Sequence, residues 1–274
     1  MHKKTIIWSV SVIFLAAAFF AFTGKQADIP HQQGDKANVK EVLSYEESGS
    51  KRTAIDEVEF AVGEKLPLDG HPEERLYYIL DGRGIMSIYE DFPDGDVYEL
   101  RQDVAIYMTP GMKHEIFNTG NAPLRYVIFK VKGGLAPEGE GLSWTAVTQE
   151  GDAIDKTMVG AGQATTYVFD EGLNPSFAEG LHLRIRHILL RRPQKFSNAE
   201  VLTIAPGRST RLHTHYDTGE TCYILVGEGN FIWDDKEIPC KAGSAISYPV
   251  GVQRQVQNTG DYPLSYICIS SFLK

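Results

Sequence analysis

Gly207-Arg208-Ser209-Thr210-Arg211-Leu212-His213-Thr214-His215, followed by Glu220 and Gly227, reads G-x5-H-x-H-x4-E-x6-G. Residues two apart on a strand project to one face, so His213 and His215 point the same way. Glu220 has the wrong parity for an unbroken strand. The intervening Asp217-Thr218-Gly219 is a turn signal that can reset the face. Two imidazoles and one carboxylate suit one divalent transition metal, Fe or Mn first, with Zn, Ni or Cu after them. Open positions would remain for substrate and water. The competing reading is a solvated polar strand end.

The string has a companion downstream: Gly243, Pro249, Gly251 and Asn258, spaced G-x5-P-x-G…N. Together the two strings resemble the paired motifs of the cupin superfamily. Upstream, Pro110-Gly111-Met112-Lys113-His114-Glu115-Ile116-Phe117-Asn118 resembles the second of those motifs, histidine included. The chain therefore resembles a bicupin. The resemblance implies an all-β chain of two tandem double-stranded β-helix (jelly-roll) barrels. It says little about the reaction, because cupins include dioxygenases, decarboxylases, isomerases, lyases and non-catalytic binders. Metal-binding cupins usually place a fourth ligand, a histidine, where this chain has Arg254. A guanidinium does not lose its proton and does not coordinate a metal. Arg254 is thus expected either to clamp a substrate carboxylate beside a three-ligand site or to mark a degenerate one. Arg211 shares parity with His213 and either faces inward to favour an anion or is solvated. Cys222 shares parity with Glu220 and either lines the pocket or fills the core.

An internal repeat supports the two-barrel reading. Asn118–Tyr126 (NTGNAPLRY) and Asn258–Tyr266 (NTGDYPLSY) agree at six of nine positions with an offset of 140. Tyr78–Gly84 (YILDGRG) answers Tyr223–Gly229 (YILVGEG) at an offset of 145. The five-residue difference is expected in one hairpin, within Glu90–Asp103. Short β-branched and aromatic runs, punctuated by Gly, Pro, Asn and Asp, indicate a sandwich or small barrel and not βαβ units. The expected layout is 25–49 as an extension, 50–134 and 181–274 as the two copies, and 135–180 as a connecting segment packed across them. In the first copy Asp69 and His71 take the places of the two motif histidines, Arg75 takes that of the glutamate, and His114 is kept. Asp69, His71 and His114, helped by Glu73 or Glu74, would hold a second metal, or the copy is structural.

The 274 residues are 42% hydrophobic and 11% aromatic, too apolar for disorder. The net charge of −9 argues against nucleic acid, which needs a basic face. Residues 1–24 read as a signal peptide or a membrane anchor: Lys3 and Lys4 precede the uncharged stretch Ile6–Phe22. Either reading exports the remainder to a periplasmic or extracytoplasmic location, with any membrane contact confined to that segment. Without residues 1–24 the balance is 25 basic against 36 acidic, or −11. Arg75, Arg211 and Arg254 stand out against that acidity as attractors of a small anion. Three cysteines, Cys222, Cys240 and Cys268, leave at least one thiol free within the chain and allow one pair. The expected function is that of an exported, metal-dependent enzyme acting on a small carboxylate through Arg254, Arg211 and the His213/His215/Glu220 metal site. The alternatives are a non-catalytic module for a sugar or small acid, or a structural partner of a membrane complex. Monomer and homodimer are both compatible with the sequence.

Overall fold

The computed structural model describes residues 37–89, 96–133, 144–147, 153–155, 169–170, 183–190 and 196–272. Residues 1–24, read above as a signal peptide or a membrane anchor, lie outside the described residues. Among the described residues no helix is long and apolar enough to cross a membrane.

Every regular element among the described residues is a strand. The first half carries β1 (Asn38–Leu43), β2 (Thr53–Phe60), β3 (Lys65–Gly70), β4 (Glu74–Asp81), β5 (Arg83–Tyr89), β6 (Asp96–Arg101), β7 (Ala105–Met108), β8 (Lys113–Phe117) and β9 (Leu124–Val131). The connecting segment supplies β10 (Trp144–Val147), β11 (Ala153–Asp155) and β12 (Phe169–Asp170). The second half carries β13 (Leu183–Leu190), β14 (Phe196–Ile204), β15 (His213–Thr214), β16 (Thr218–Val226), β17 (Glu228–Trp233), β18 (Lys236–Lys241), β19 (Ala245–Tyr248), β20 (Gln253–Asn258) and β21 (Leu264–Phe272).

Each half is a pair of antiparallel sheets. The first stacks β1-β2-β9-β4-β7-β10-β11 on β3-β8-β5-β6. The second stacks β12-β13-β14-β21-β16-β19 on β15-β20-β17-β18. The chain is therefore an all-β protein of two jelly-roll barrels. The extension and the connecting segment both contribute strands. β1 extends one edge of the first large sheet, β10 and β11 extend the other, and β12 edges the second large sheet.

The repeated Asn-Thr-Gly explains itself at the turns. Asn118 Nδ2 donates to the carbonyls of Phe60, Ala61 and Ala122, and its Oδ1 accepts from the Gly120 amide at 2.9 Å. Asn258 repeats this with Ile204, Tyr262 and Gly260. One buried amide thus staples three chain segments in each barrel and satisfies backbone groups that would otherwise be orphaned. Gly82 and Gly227 both adopt positive φ (87° and 89°), and a Cβ at Gly227 would meet the backbone of Pro263 and Leu264. Before the β5–β6 hairpin, β2 and β3 match β14 and β15 at an offset of 144 and β4 and β5 match β16 and β17 at 145; the strands after it match at 140. The length difference therefore falls in that hairpin, whose residues 90–95 lie outside the described ones.

Each barrel has its own core, one built on Phe60, Tyr77, Met86 and Ile116, the other on Ile204, Ile224, Phe231 and Val256. A third cluster joins the large sheets: Ile55, Leu76, Tyr78, Tyr107 and Phe129 pack with Ala199, Tyr223, Ile267 and Ile269. This double burial accounts for the unbroken run Leu76-Tyr77-Tyr78-Ile79. Tyr77 and Ile79 fill the barrel while Leu76 and Tyr78 fill the interface, so no polar alternation appears. Tyr223 Oη donates to Glu57 Oε2 across the interface at 3.1 Å, and Arg125 pairs with the same carboxylate.

Candidate functional site

The motif of the second barrel folds as a short strand, a turn and a long strand. β15 pairs with β20, which sets His213 opposite Arg254, and the Gly251 amide donates to the His215 carbonyl at 2.9 Å. The chain turns through Tyr216 and Asp217 and enters β16, where Glu220 lies between Tyr248 of β19 and Ser270 of β21. The turn performs the change of face that strand parity alone forbids. The donor atoms of His213, His215 and Glu220 lie within 4.8 Å of one another. No second group of three such ligands comes this close among the described residues.

Local bonds prepare these donors. His213 Nδ1–H donates to the Arg211 carbonyl at 2.7 Å, which fixes the tautomer and leaves the Nε2 lone pair available. Burial holds the His213 pKa below its ordinary value, favouring the neutral imidazole a metal requires. The His213 and His215 rings stand 5.0 Å apart. Glu220 Oε2 is 3.6 Å from His215 Nδ1 and 3.2 Å from Arg254 Nε, and Oε1 accepts the Cys222 S–H at 3.4 Å. Burial pushes the Glu220 carboxyl up to about 7, and the Cys222 hydrogen bond works against that rise by favouring the carboxylate.

Arg254 is 1% exposed and faces the Glu220 carboxylate of the protein itself. Among the described residues its Nε, Nη1 and Nη2 have no hydrogen-bond partner, its guanidinium lies 5.8 Å from the Tyr248 ring centre, and burial lowers its pKa to about 10. It stands where metal-binding cupins usually carry a fourth ligand, and faces the carboxylate of Glu220. Arg211 is exposed at the rim of the cavity, and its backbone carbonyl holds His213. The three cysteines are free and buried, so the pair left open by the sequence is not formed.

The triad opens on a cavity of about 570 Å³. Its wall includes Leu183, Leu202, Tyr266, Cys268, Glu200 and Ser270, none of which the motifs single out. The signal that could have found them is the repeat itself, because the first barrel has the same positions filled. Ser270 faces Glu220 as Lys130 faces Arg75, and Cys222 faces Cys268 as Tyr77 faces Ile128. Glu200 faces Cys268 as Asp56 faces Ile128. In the first barrel Lys130 binds Asp56 at 2.6 Å, and the Tyr45 ring lies under Lys130 and Lys132. Small residues replace Lys130, Tyr77 and Ile128 in the second barrel, and the space opens.

The first barrel carries different residues at the positions of the three donors. Asp69 faces His114 as His213 faces Arg254, and the Gly111 amide donates to the His71 carbonyl as Gly251 does to His215. Asp69, His71, Arg75 and His114 are thus the counterparts of His213, His215, Glu220 and Arg254. Arg75 holds Glu73 through Nε at 3.0 Å and Nη2 at 2.7 Å, and donates from Nη1 to Tyr77 Oη at 3.3 Å. Tyr77 Oη lies 2.9 Å from His114 Nε2. Glu74 is on the opposite face, accepting from Tyr107 Oη at 2.9 Å. Glu73 is thus paired with Arg75, and Glu74 with Tyr107. A guanidinium takes the central role instead.

His114 makes the first barrel sensitive to acid. Burial, with His71 and Arg75 nearby, pushes its pKa down to about 4. An unfolded histidine titrates near about 6.5, so below that value the unfolded chain binds more protons than the folded one. Stability is therefore complete above about pH 6.5 and declines toward pH 4, by up to roughly 3 kcal/mol from this group. Urea unfolding at about pH 7.5 and 4.5 should show the decline, and His114→Gln should flatten it.

Comparison with known proteins places this geometry. The Cupin domain family matches residues 56–130 and again 200–270, together more than half of the chain. The chain belongs to the cupin family, as a bicupin. The oxalate-binding protein of Thermotoga maritima is 31% identical over 91 residues, covering 33% of this chain and 73% of that protein. Oxalate decarboxylase of Bacillus subtilis, whose Mn(II) centres are the subject of one solved structure, superposes with a TM-score of 0.61 at 16% identity. The match covers 87% of this chain and 74% of that one. Procruciferin, an 11S globulin of Brassica napus, superposes with a TM-score of 0.64 at 12% identity over 87% and 81%. The two solved structures share the fold with this chain. Because one is a decarboxylase and the other a globulin, the fold does not select a reaction.

Proposed function

We propose that the second barrel binds one divalent transition metal, Fe or Mn, through His213, His215 and Glu220, and that it acts on a small carboxylate. The observation that carries this is the convergence of three donors, one of them already held by a hydrogen bond that suits a metal, beside a cavity of about 570 Å³. A metal bound there supplies Lewis-acid or dioxygen-activating chemistry. The Arg211 carbonyl holds the His213 ring, and the Arg211 side chain at the rim favours approach of an anion. Arg254 Nε stands 3.2 Å from Glu220 Oε2 and helps to orient that carboxylate. The similarity to an oxalate-binding protein supports the carboxylate, and the similarity in fold to oxalate decarboxylase is compatible with metal-dependent decarboxylase, dioxygenase or isomerase chemistry. The second reading, a carboxylate-binding module without turnover, is favoured by the arginine in each set of four positions. Export through residues 1–24 belongs to the same proposal and rests on Lys3, Lys4 and the stretch Ile6–Phe22.

The test is spectroscopic. Manganese-loaded protein titrated with oxalate should show a change in the Mn(II) electron paramagnetic resonance lines, absent from His213→Ala. Product formation under the same conditions separates the enzyme from the binding module. Unchanged lines at saturating oxalate, acetate and benzoate would overturn the carboxylate reading.

A further inference from the structure

Cys222 and Cys268 stand directly opposite each other on β16 and β21. Both belong to the core cluster of the second barrel, so their side chains share its inner face. Directly opposed residues of antiparallel strands have Cα atoms about 4.5 or 5.5 Å apart, within the span of about 4.4–6.8 Å that a disulfide bridges. The two thiols interact, and both are free in this structure. Cys240 lies in the small sheet, where it pairs with Gly229.

The pair joins the cavity to a candidate metal donor. Cys268 lines the cavity of about 570 Å³, and the Cys222 S–H donates to Glu220 Oε1 at 3.4 Å. In the first barrel Tyr77 and Ile128 hold the corresponding positions. The dithiol therefore occurs in the barrel that carries His213, His215 and Glu220 and not in its repeat. A single buried cysteine is a small core residue. Two of them opposed across one strand pair, with one at a cavity and the other bonded to a carboxylate, can also be oxidised.

We propose that Cys222 and Cys268 form a reversible disulfide when a small peroxide enters the cavity, and that this disulfide weakens metal binding at Glu220. The Cys268 sulfur, at the cavity, attacks one peroxide oxygen. The O–O bond breaks, and the thiol proton leaves with the departing hydroxide as water. The Cys222 sulfur then attacks the sulfenic sulfur. The S–O bond breaks, and the Cys222 proton leaves with hydroxide as a second water. Two electrons pass from the thiols to the peroxide. Burial raises the Cys222 thiol well above its ordinary range, so the reaction is slow. A disulfide has no S–H to give, and Glu220 Oε1 loses that donor. Partners behind a metal ligand typically carry about 10–100-fold in affinity. The effect on the metal rests on the proposal that the triad binds one, whereas the disulfide does not.

Treatment of metal-free full-length protein with hydrogen peroxide tests the disulfide. The mass should fall by that of two hydrogens, and peptide mapping should recover a Cys222–Cys268 link with Cys240 free. A phosphine reductant should restore both thiols. Competition against a chelator then compares manganese binding by the two forms, and the oxidised form should bind at least about tenfold more weakly. Peroxide should make no such difference to Cys268→Ala and the full difference to Cys240→Ser. Three free thiols after peroxide, a link to Cys240, or sulfinic and sulfonic acids on single cysteines would overturn the inference. Equal manganese affinity of the two forms would also overturn it while leaving the metal reading standing. If neither form binds manganese, the metal reading falls and the proposed effect with it, and the mapped link still decides whether the disulfide forms.

Discussion

Glu220→Ala in metal-free protein should lower the unfolding free energy by about 3–5 kcal/mol, the cost of stranding a buried charge. The stranded group is Arg254. Its ion-pair partner among the described residues is Glu220, and none of its three side-chain nitrogens has another hydrogen bond there. Its position on β20 opposite β15 gives it no route to water without opening the small sheet. The double variant Glu220→Leu/Arg254→Met should recover most of the loss, because removing both charges removes the desolvation penalty as well as the attraction. Urea unfolding of the two single variants, the double variant and the wild type completes the cycle. A Glu220→Ala protein as stable as the wild type would show that the buried pair does not hold this barrel together.

Arg254→His should tighten metal binding by at least about 100-fold. The substitution removes a positive charge 3.2 Å from the Glu220 carboxylate and places an imidazole on the strand that faces His213. Each 1.4 kcal/mol is a factor of ten in affinity, and close charge pairs at a protein's effective dielectric are worth several kcal/mol. Competition against a chelator of known affinity measures the change. Arg254→Lys keeps the charge and should keep the weaker affinity. If Arg254→His binds no more tightly than the wild type, the arginine is not the reason the set has three ligands.

Much of this arrangement is legible in the order of the residues. The duplication at offsets of 140 and 145 predicts two barrels, because the Asn118 and Asn258 staples and the Gly82 and Gly227 turns serve the same backbone need in both copies. The His213, His215 and Glu220 set is legible as spacing plus a turn. The strands in residues 25–49 and 135–180 are not, since β1, β10, β11 and β12 form by adding to sheet edges that only the folded barrels create. Arg254 is recognisable as an unsuitable ligand, but the group it meets depends on the pairing of β15 with β20 and of β16 with β19, which one-dimensional parity does not supply. The cavity escapes the motifs for a related reason. Whether Glu200 opens onto space or is covered depends on what stands across two strand pairings, Ser270 and Cys268 here, Lys130 and Ile128 in the first barrel.

The central claim is that one barrel holds a metal and the other holds an arginine in its place. Elemental mass spectrometry of freshly purified, metal-supplemented protein tests it most directly, with His213→Ala and His114→Gln measured in parallel. The account predicts one transition metal per chain in the wild type and in His114→Gln, and none in His213→Ala. Metal-free wild-type protein, two metals per chain, or metal lost with His114→Gln and retained in His213→Ala would contradict it.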